Sequence, residues 1–276
     1  MNQLTQIVKN PGVIIIVLDG CRPDGVTRAK TPQLDWIMAN GAYTLSARTI
    51  FPSITFPCHI SMLYGVKAHR HGIYGNYSSP IKMNGHHSIL DLAYMCGRKA
   101  AAFYDWEQLR ELSSPTVLDF AYYRRANLEK NASRAMAHTC AEYIEAARPS
   151  LCFINFGTID TIGHAHGWMS EAYLNQIAVI DAAIGLIIDK IKAANLLENY
   201  YIIILSDHGG TGRDHGGDSA EEMTIPWMVT GPGIRRGYEM TGQLHIYDTA
   251  PTMAHLLKLP FQGIWQGRII TEIFEF

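Results

Sequence analysis

The stretch at 200–217, YYIIILSDHGGTGRDHGG, most constrains what this chain can fold into. It begins with a continuous apolar run, which is typical of a strand buried inside a parallel sheet. Asp207 and His208 follow that run directly, and a glycine-rich loop then presents Asp214 and His215. In open α/β folds the ends of such strands carry the binding site. Carboxylate and imidazole groups are ligands that zinc and similar metals prefer, although a plain turn also uses Asp and His.

Strand and helix signals alternate along the 276 residues. Apolar runs predict strands over Val13–Leu18, Tyr43–Thr49, Ala100–Tyr104, Leu151–Phe156, Tyr200–Leu205 and Ile225–Val229. Caps and helical periodicity predict helices from Thr31 to Gly41, over Phe56–Tyr64 with Thr55 as N-cap, and over Ser88–Met95, Asn127–Ala147, Ser170–Ala194 and Asp248–Leu257. Gly65–Pro80 reads as a loop. This alternation predicts one α/β domain, residues 1–276, with a mostly parallel central sheet flanked by helices on both faces.

The composition argues against several classes of partner. Lys and Arg number 23 against 25 Asp and Glu, a net charge of −2, so we expect no nucleic-acid polymer. Apolar runs fall short of the roughly 20 residues that span a bilayer, so we expect no membrane association. Residues 1–11 lack a signal-peptide pattern, so we expect no secretion. Five scattered cysteines without a C-x-x-C pair favour reduced thiols and a cytoplasmic location. The composition leaves an oligomer open.

Residues that can bind a metal ion or take part in catalysis follow several of the predicted strands. Asp19 follows the first strand, Thr55 follows the Tyr43 strand after a short loop, and Asp160 follows the Leu151 strand. His164 lies four residues beyond Asp160, a spacing that puts both on one helix face if the segment is helical. A single Asp after a strand is more often a cap or turn former. Since parallel strands end at one edge of a sheet, the whole set predicts one site there.

The motifs, taken in order, resemble a known family. They are DGCRPD at 19–24, FPSITFPCH at 51–59, HGIYGN at 71–76, IDTIGH at 159–164, SDHGG at 206–210 and DHGGD at 214–218. With these motifs the chain resembles the alkaline phosphatase superfamily, and within it the nucleotide pyrophosphatase/phosphodiesterase branch. The likeness covers roughly residues 12–233. It implies an alkaline phosphatase-like fold, with a minimal cap contributed by approximately residues 77–130.

The resemblance also implies a set of functional residues. Two divalent ions are implied. Zn²⁺ is the metal expected from the resemblance, and Mn²⁺ accepts the same ligand types. The implied ligands are Asp160, His164 and His215 for one ion, and Asp19, Asp207, His208 and Thr55 for the other. Thr55 is the implied nucleophile, which passes through a phosphothreonine intermediate. Asn76 is implied to hold phosphoryl oxygens and Phe56 to face the leaving group, while Trp106, Tyr104, Tyr122 and Tyr123 are open candidates for lining a substrate pocket.

The implied activity is metal-dependent hydrolysis of phosphodiester or pyrophosphate bonds in a small phosphate ester or nucleotide. A phosphonoacetate hydrolase and a phosphomonoesterase of the same superfamily stay open as alternatives. Asp105 and Glu107 stand where phosphonoacetate hydrolases place lysines, and they would repel a carboxylate. Basic residues near the motifs could neutralise the extra charge of a monoester: Arg22, Arg48, Lys67 and Arg70. A non-catalytic phosphate- or metal-binding relative is a further alternative, disfavoured because every residue of the implied machinery is present.

Overall fold

The computed structural model describes residues 11–77, 86–125 and 131–275. Its strands are β1 (Gly12–Leu18), β2 (Gly41–Arg48), β3 (Ala100–Tyr104), β4 (Phe120–Tyr123), β5 (Leu151–Phe156), β6 (Tyr200–Leu205), β7 (Thr224–Thr230) and β8 (Tyr238–Glu239). Its helices are α1 (Pro23–Arg28), α2 (Pro32–Ala39), α3 (Thr55–Tyr64), α4 (Ala68–His71), α5 (Ile89–Met95), α6 (Ala132–Ala147), α7 (Thr158–His166), α8 (Glu171–Ala193), α9 (Ala220–Met223) and α10 (Thr249–Leu257). None of these helices is long and apolar enough to cross a membrane.

The described strands form one sheet in the order β4-β3-β5-β1-β6-β7-β2-β8. Strand β7 pairs antiparallel with β6 and with β2, and every other pairing among the described strands is parallel. Two antiparallel steps restore the original direction, so β2 runs the same way as β1, β5 and β6. The loops that follow these four strands therefore leave the sheet at one edge, and the predicted mostly parallel sheet is confirmed.

Both faces of the sheet are covered, as predicted. Alternate residues of β1 point to opposite faces, and all of them are buried. Val13, Ile15 and Val17 join a core that also contains residues of α3, α5 and α10. Ile14 and Ile16 join a second core with residues of α2, α6 and α8. Each fully buried aliphatic side chain contributes about 1.5–3 kcal/mol, so the sheet is a rigid platform for the loops at its edge.

Several local predictions differ from the observed elements. Strand β4 was not predicted, because its alternating exposure follows from its place at the sheet edge rather than from an apolar run. The predicted loop at 65–80 contains one helical turn, α4. Helix α6 is observed over Ala132–Ala147, while 127–130 of its predicted span lie outside the described residues.

The start of α2 shows a tertiary contact that local sequence could not reveal. Thr31 occupies the N-cap position as predicted, but its hydroxyl donates to the carbonyl oxygen of Val26 instead of capping the helix. The free amides are satisfied from α8, where the Asp181 carboxylate accepts from the amide of Gln33 at 3.1 Å and from that of Leu34 at 2.9 Å. Asp181 is itself buried, so these hydrogen bonds tie α2 to α8.

We expect Asp181→Ala to lower the free energy of unfolding by about 1–3 kcal/mol, because it leaves buried amides at the α2 terminus without acceptors. Urea unfolding followed by circular dichroism measures the change. Asp189→Ala, an exposed residue of the same helix, is the control and should stay within about 0.5 kcal/mol of the parent. An equal effect of the two substitutions would contradict the capping role.

Candidate functional site

Two groups of carboxylates and imidazoles lie at the edge where β1, β5 and β6 end. Within each group, one possible ligand atom per residue lies within 4.8 Å of the others. The first cluster is Asp160, His164 and His215, and the second cluster is Asp19, Asp207 and His208. The structure thus brings together the same sets of three that the family resemblance implies.

The first cluster is built on helix α7. This helix begins directly after β5, so the segment is helical and Asp160 and His164 share one face. Nε2 of His164 lies 3.5 Å from Oδ2 of Asp160, and Nε2 of His215 lies 3.5 Å from Oδ1. Asp160 and His215 are half-buried while His164 is exposed, so this cluster is open to solvent.

The three residues of the second cluster are buried. Oδ1 of Asp207 accepts from the amides of Gly20 at 3.0 Å and His208 at 2.9 Å, which ties the loops after β1 and β6 together. Nε2 of His208 lies 3.5 Å from Oδ1 of Asp19 and 3.4 Å from Oδ2 of Asp207. The clusters meet where the rings of His208 and His215 stack, with centroids 3.8 Å apart.

The three imidazoles are oriented by backbone carbonyl groups. Nδ1 of His164, His208 and His215 each lies 2.8 Å from a carbonyl oxygen, those of Arg213, Gly209 and Ser53 respectively. Since a carbonyl only accepts, each Nδ1 donates, and Nε2 faces the carboxylates. Burial lowers the pKa of His208 and His215, which favours neutral rings with a lone pair on Nε2. This arrangement is usual for histidines that bind metals.

The carboxylate oxygens of the clusters lack partners. Oδ1 of Asp19, Oδ1 of Asp160 and Oδ2 of Asp207 are buried and accept no hydrogen bond from the described residues. Burial raises the pKa of Asp160 to about 6, and it raises the pKa of Asp19 well above its usual range, with further repulsion from Asp207. Buried carboxylate oxygens that face imidazole lone pairs are unfavourable unless a positive charge lies between them. The residues present therefore fit one divalent cation in each cluster.

Thr55 lies beside the second cluster. Its Oγ1 is 3.2 Å from Nε2 of His208, and the residue is 5% exposed. The prediction of Thr55 as N-cap is wrong: Ile54 is the N-cap, and Thr55 is the first residue of α3. The hydroxyl points to His208 instead of to the helix amides, so it faces the second cluster and does not cap the helix.

A cavity of about 570 Å³ lies above Thr55. Its lining includes cluster residues, Asn76 and a rim from the segment after β3 and from the end of β4 and the residues that follow it. The rim residues are Asp105, Trp106, Glu107, Tyr123 and Arg125. Oδ1 of Asn76 accepts from the amide of Phe56 at 2.9 Å, which leaves the NH₂ group of Asn76 to donate. Trp106 and Tyr123 were aromatic candidates, whereas Arg125 carries no sequence signal that singles it out.

The ring of Phe56 does not line this cavity. It is fully buried and packs edge-to-face against Trp106, with centroids 6.5 Å apart. All residues of α3 are buried, and the ring of Phe56 contacts Trp106 from within the core. A contact between Phe56 and a substrate stays a prediction. Tyr104 and Tyr122 are likewise absent from the lining.

Trp168 holds the site loops together. Its Nε1 donates to the carbonyl oxygen of Gly20 at 2.8 Å. A Cβ at Gly210 would lie 2.2 Å from a ring carbon of Trp168, so only glycine fits where the loop after β6 passes the ring. The ring also contacts His164 edge-to-face. Gly210 in the glycine-rich segment after β6 is thus required by close packing on this tryptophan.

We expect Asp160→Asn to stabilise the chelator-treated protein at pH 7. The raised pKa of Asp160 means that its ionised form costs folding free energy, a cost that appears as pH rises from about 4 to about 6. Removing the charge should raise the free energy of unfolding by about 3 kcal/mol, since each pKa unit between about 4 and about 6 is worth about 1.4 kcal/mol. Urea titration measures this, with Asp189→Asn as control; a less stable Asp160→Asn protein would contradict the electrostatic account.

Comparison with known proteins supports the resemblance. The family model described as type I phosphodiesterase / nucleotide pyrophosphatase matches residues 13–224. The chain is 25% identical over 225 residues to ectonucleotide pyrophosphatase/phosphodiesterase family member 3 of Rattus norvegicus, covering 72% of this chain and 25% of that protein. It is 29% identical over 222 residues to bis(5'-adenosyl)-triphosphatase enpp4 of Xenopus laevis, covering 72% of this chain and 47% of that protein. The chain thus spans less than half the length of these curated relatives.

Among solved structures, murine ectonucleotide pyrophosphatase/phosphodiesterase 5, an inactive threonine-to-alanine variant in complex with AMP, superimposes with a TM-score of 0.81. The sequences are 17% identical, and the match covers 96% of this chain and 100% of that chain. This likeness confirms the predicted alkaline phosphatase-like fold. Because the family model covers most of the chain, from β1 to the start of β7, the chain belongs to the type I phosphodiesterase / nucleotide pyrophosphatase family.

Proposed function

We propose that this protein is a metal-dependent hydrolase that cleaves phosphodiester or pyrophosphate bonds in small phosphate esters or nucleotides, with Thr55 as nucleophile. The observation that carries the proposal is the position of the Thr55 hydroxyl. It lies at the floor of a cavity, 3.2 Å from His208 and beside two clusters that each fit a cation.

We assign the first cluster to one ion and the second cluster, with Thr55, to the other. When bound, paired cations of this kind lower the pKa of a nearby hydroxyl and stabilise charge on the attacking and leaving oxygens. Carboxylate and imidazole ligands support zinc, and the same ligands accept manganese. The carbonyl groups of Ser53, Gly209 and Arg213 hold the imidazoles in the orientation this role requires.

The chain's own residues account for the two steps of the reaction. In the first, Oγ1 of Thr55 forms a bond to phosphorus while the bond to the leaving alcohol or phosphate breaks, and the threonine proton leaves with that group. The product is a phosphothreonine ester. In the second step a water molecule replaces Thr55 on phosphorus and restores its hydroxyl. The NH₂ group of Asn76 is placed to donate to a phosphoryl oxygen throughout, because its Oδ1 is held by Phe56.

Two features of the relatives support these assignments. The murine structure is an inactive form in which a threonine is replaced by alanine, and it binds AMP. The Xenopus laevis relative is named for cleavage of a bis-adenosyl triphosphate. A nucleotide or related small phosphate ester therefore fits as the substrate class of this chain.

We further propose that approximately residues 77–130 act as a minimal cap within a single catalytic domain. Of this segment, 78–85 and 126–130 lie outside the described residues. Its described part supplies Trp106, Glu107, Tyr123 and Arg125 to the cavity rim. The aromatic rings offer flat apolar surface to the leaving-group side of a substrate.

The free thiols of all five cysteines support the cytoplasmic location expected from their spacing.

The alternatives receive less support from the cavity. None of the basic residues considered for a monoester, Arg22, Arg48, Lys67 and Arg70, is in the cavity lining, and Arg22 pairs with Asp24 instead. Asp105 and Glu107 both line the cavity, which disfavours the carboxylate of phosphonoacetate. A non-catalytic role is disfavoured because Thr55 and both clusters are assembled together.

We expect Thr55→Ala to lower kcat for a phosphodiester at least about 1,000-fold, since the nucleophile is lost, while both metal ions stay bound. Steady-state kinetics and elemental analysis measure the two quantities. Thr161→Ala is the matched control: Thr161 lines the same cavity, but its hydroxyl donates to the carbonyl oxygen of Gly157. Full turnover by Thr55→Ala would refute the nucleophile assignment.

We also expect diesters to be preferred over monoesters. A monoester carries one more negative charge, and Arg125 is the only Lys or Arg among the cavity-lining residues that the structure describes. The value of kcat/KM for a nucleoside 5'-p-nitrophenyl phosphate should exceed that for p-nitrophenyl phosphate by about tenfold or more, equivalent to about 1.4 kcal/mol. Release of p-nitrophenol measures both, and phosphate release tests phosphonoacetate. Faster monoester turnover would favour the phosphomonoesterase alternative.

A further inference from the structure

A continuous line of buried polar side chains runs beneath the site. Asp207, His59 and Asn155 are each fully buried, and Asp105 at the end of the line is 8% exposed. They come from the loop after β6, helix α3, strand β5 and the segment after β3. Buried polar groups are costly unless they are hydrogen-bonded, so such a line needs a reason for its presence.

His59 occupies the centre of this line. Its Nδ1 donates to the carbonyl oxygen of Thr55 at 2.8 Å and lies 3.5 Å from Oδ2 of Asp207. On the opposite side, Nε2 lies 2.9 Å from Oδ1 of Asn155. The ring also packs edge-to-face on Phe153. One imidazole therefore contacts the backbone of the nucleophile, a carboxylate of the second cluster and the central sheet.

Asn155 extends the line toward the first cluster. Its Nδ2 lies 3.5 Å from Oδ1 of Asp105, whose two carboxylate oxygens accept from the amide of Gly157 at 2.8 and 2.9 Å. Gly157 is the N-cap of α7, the helix that carries Asp160 and His164. The line thus ends at Gly157, where the helix that carries two residues of the first cluster begins.

We propose that His59 and Asn155 are positioning residues that set Thr55 in place relative to both clusters. The inference rests on the proposed function. Neither residue lines the cavity, and both act through the groups they hold. The physical ground is the tolerance of the chemistry: a displacement of about 1 Å at the reacting group can cost about 100-fold in rate. Loss of a group that supports metal ligands typically costs about 10–100-fold in metal affinity.

The test compares three variants of the full chain with the parent. His59→Leu removes the polar contacts with Thr55, Asp207 and Asn155 at similar side-chain size. His59→Asn keeps a donor near the position of Nδ1, toward Thr55 and Asp207. Asp181→Ala is the control for general destabilisation, because it breaks buried hydrogen bonds between α2 and α8 that have no contact with the site. Zinc affinity by chelator competition, and kcat and KM for a p-nitrophenyl phosphodiester, are measured on each.

We expect His59→Leu to lower kcat about 100-fold with KM changed less than about threefold, and to weaken zinc binding about tenfold. His59→Asn should recover at least about tenfold of the lost kcat. Asp181→Ala should keep the parent's zinc affinity and kcat although it is less stable. This split separates positioning from a general loss of stability.

A kcat for His59→Leu within about threefold of the parent, or a loss no larger than that of Asp181→Ala, would overturn the inference. If the parent itself hydrolyses no phosphate ester, the proposed function fails, and the zinc measurement alone decides the positioning role. In that case a zinc affinity of His59→Leu within about threefold of the parent overturns it. A parent that binds no zinc overturns both.

Discussion

Carboxylate oxygens and imidazole lone pairs face one another at one edge of the sheet, and the architecture of the site depends on this opposition. Three buried carboxylate oxygens accept no hydrogen bond from the described residues. Each imidazole is held by a backbone carbonyl so that Nε2 faces them. Such a convergence of polar groups lowers the folding free energy available in the absence of a cation. Burial of apolar side chains in the two cores offsets this loss.

The direction of the strands explains how residues far apart in sequence share this edge. Thr55 follows β2, which lies beyond β7 in the sheet. Because β7 is antiparallel to both of its neighbours, β2 points the same way as β1, β5 and β6. Thr55 and both clusters therefore meet at one edge, because the two antiparallel steps through β7 restore the direction of the strands. Trp168 and the glycines that pack on it bring the loops close enough for contact.

Much of the site was predictable because its signals are local. A buried strand followed by Asp-His, and an Asp with a His four residues later on a helix, carry their spacing in the sequence itself. The residues that support the site have no such signal. Asp181 caps α2 from 148 residues away, and His59 meets Asn155 across 96 residues. Phe56 was assigned to the substrate by the family resemblance alone, and local sequence did not show that its ring packs edge-to-face on Trp106.

The sequence by itself determined the alternation of strands and helices, the burial of the sheet and the chemical types at the strand ends, because these depend on periodicity and on neighbouring residues. Tertiary structure decided the rest. It selected which carboxylate oxygens are left without partners, which carbonyl group orients each imidazole, and which aromatic rings reach the cavity. These outcomes depend on distances between segments that are remote in the chain, and such distances are set only when both faces of the sheet are packed.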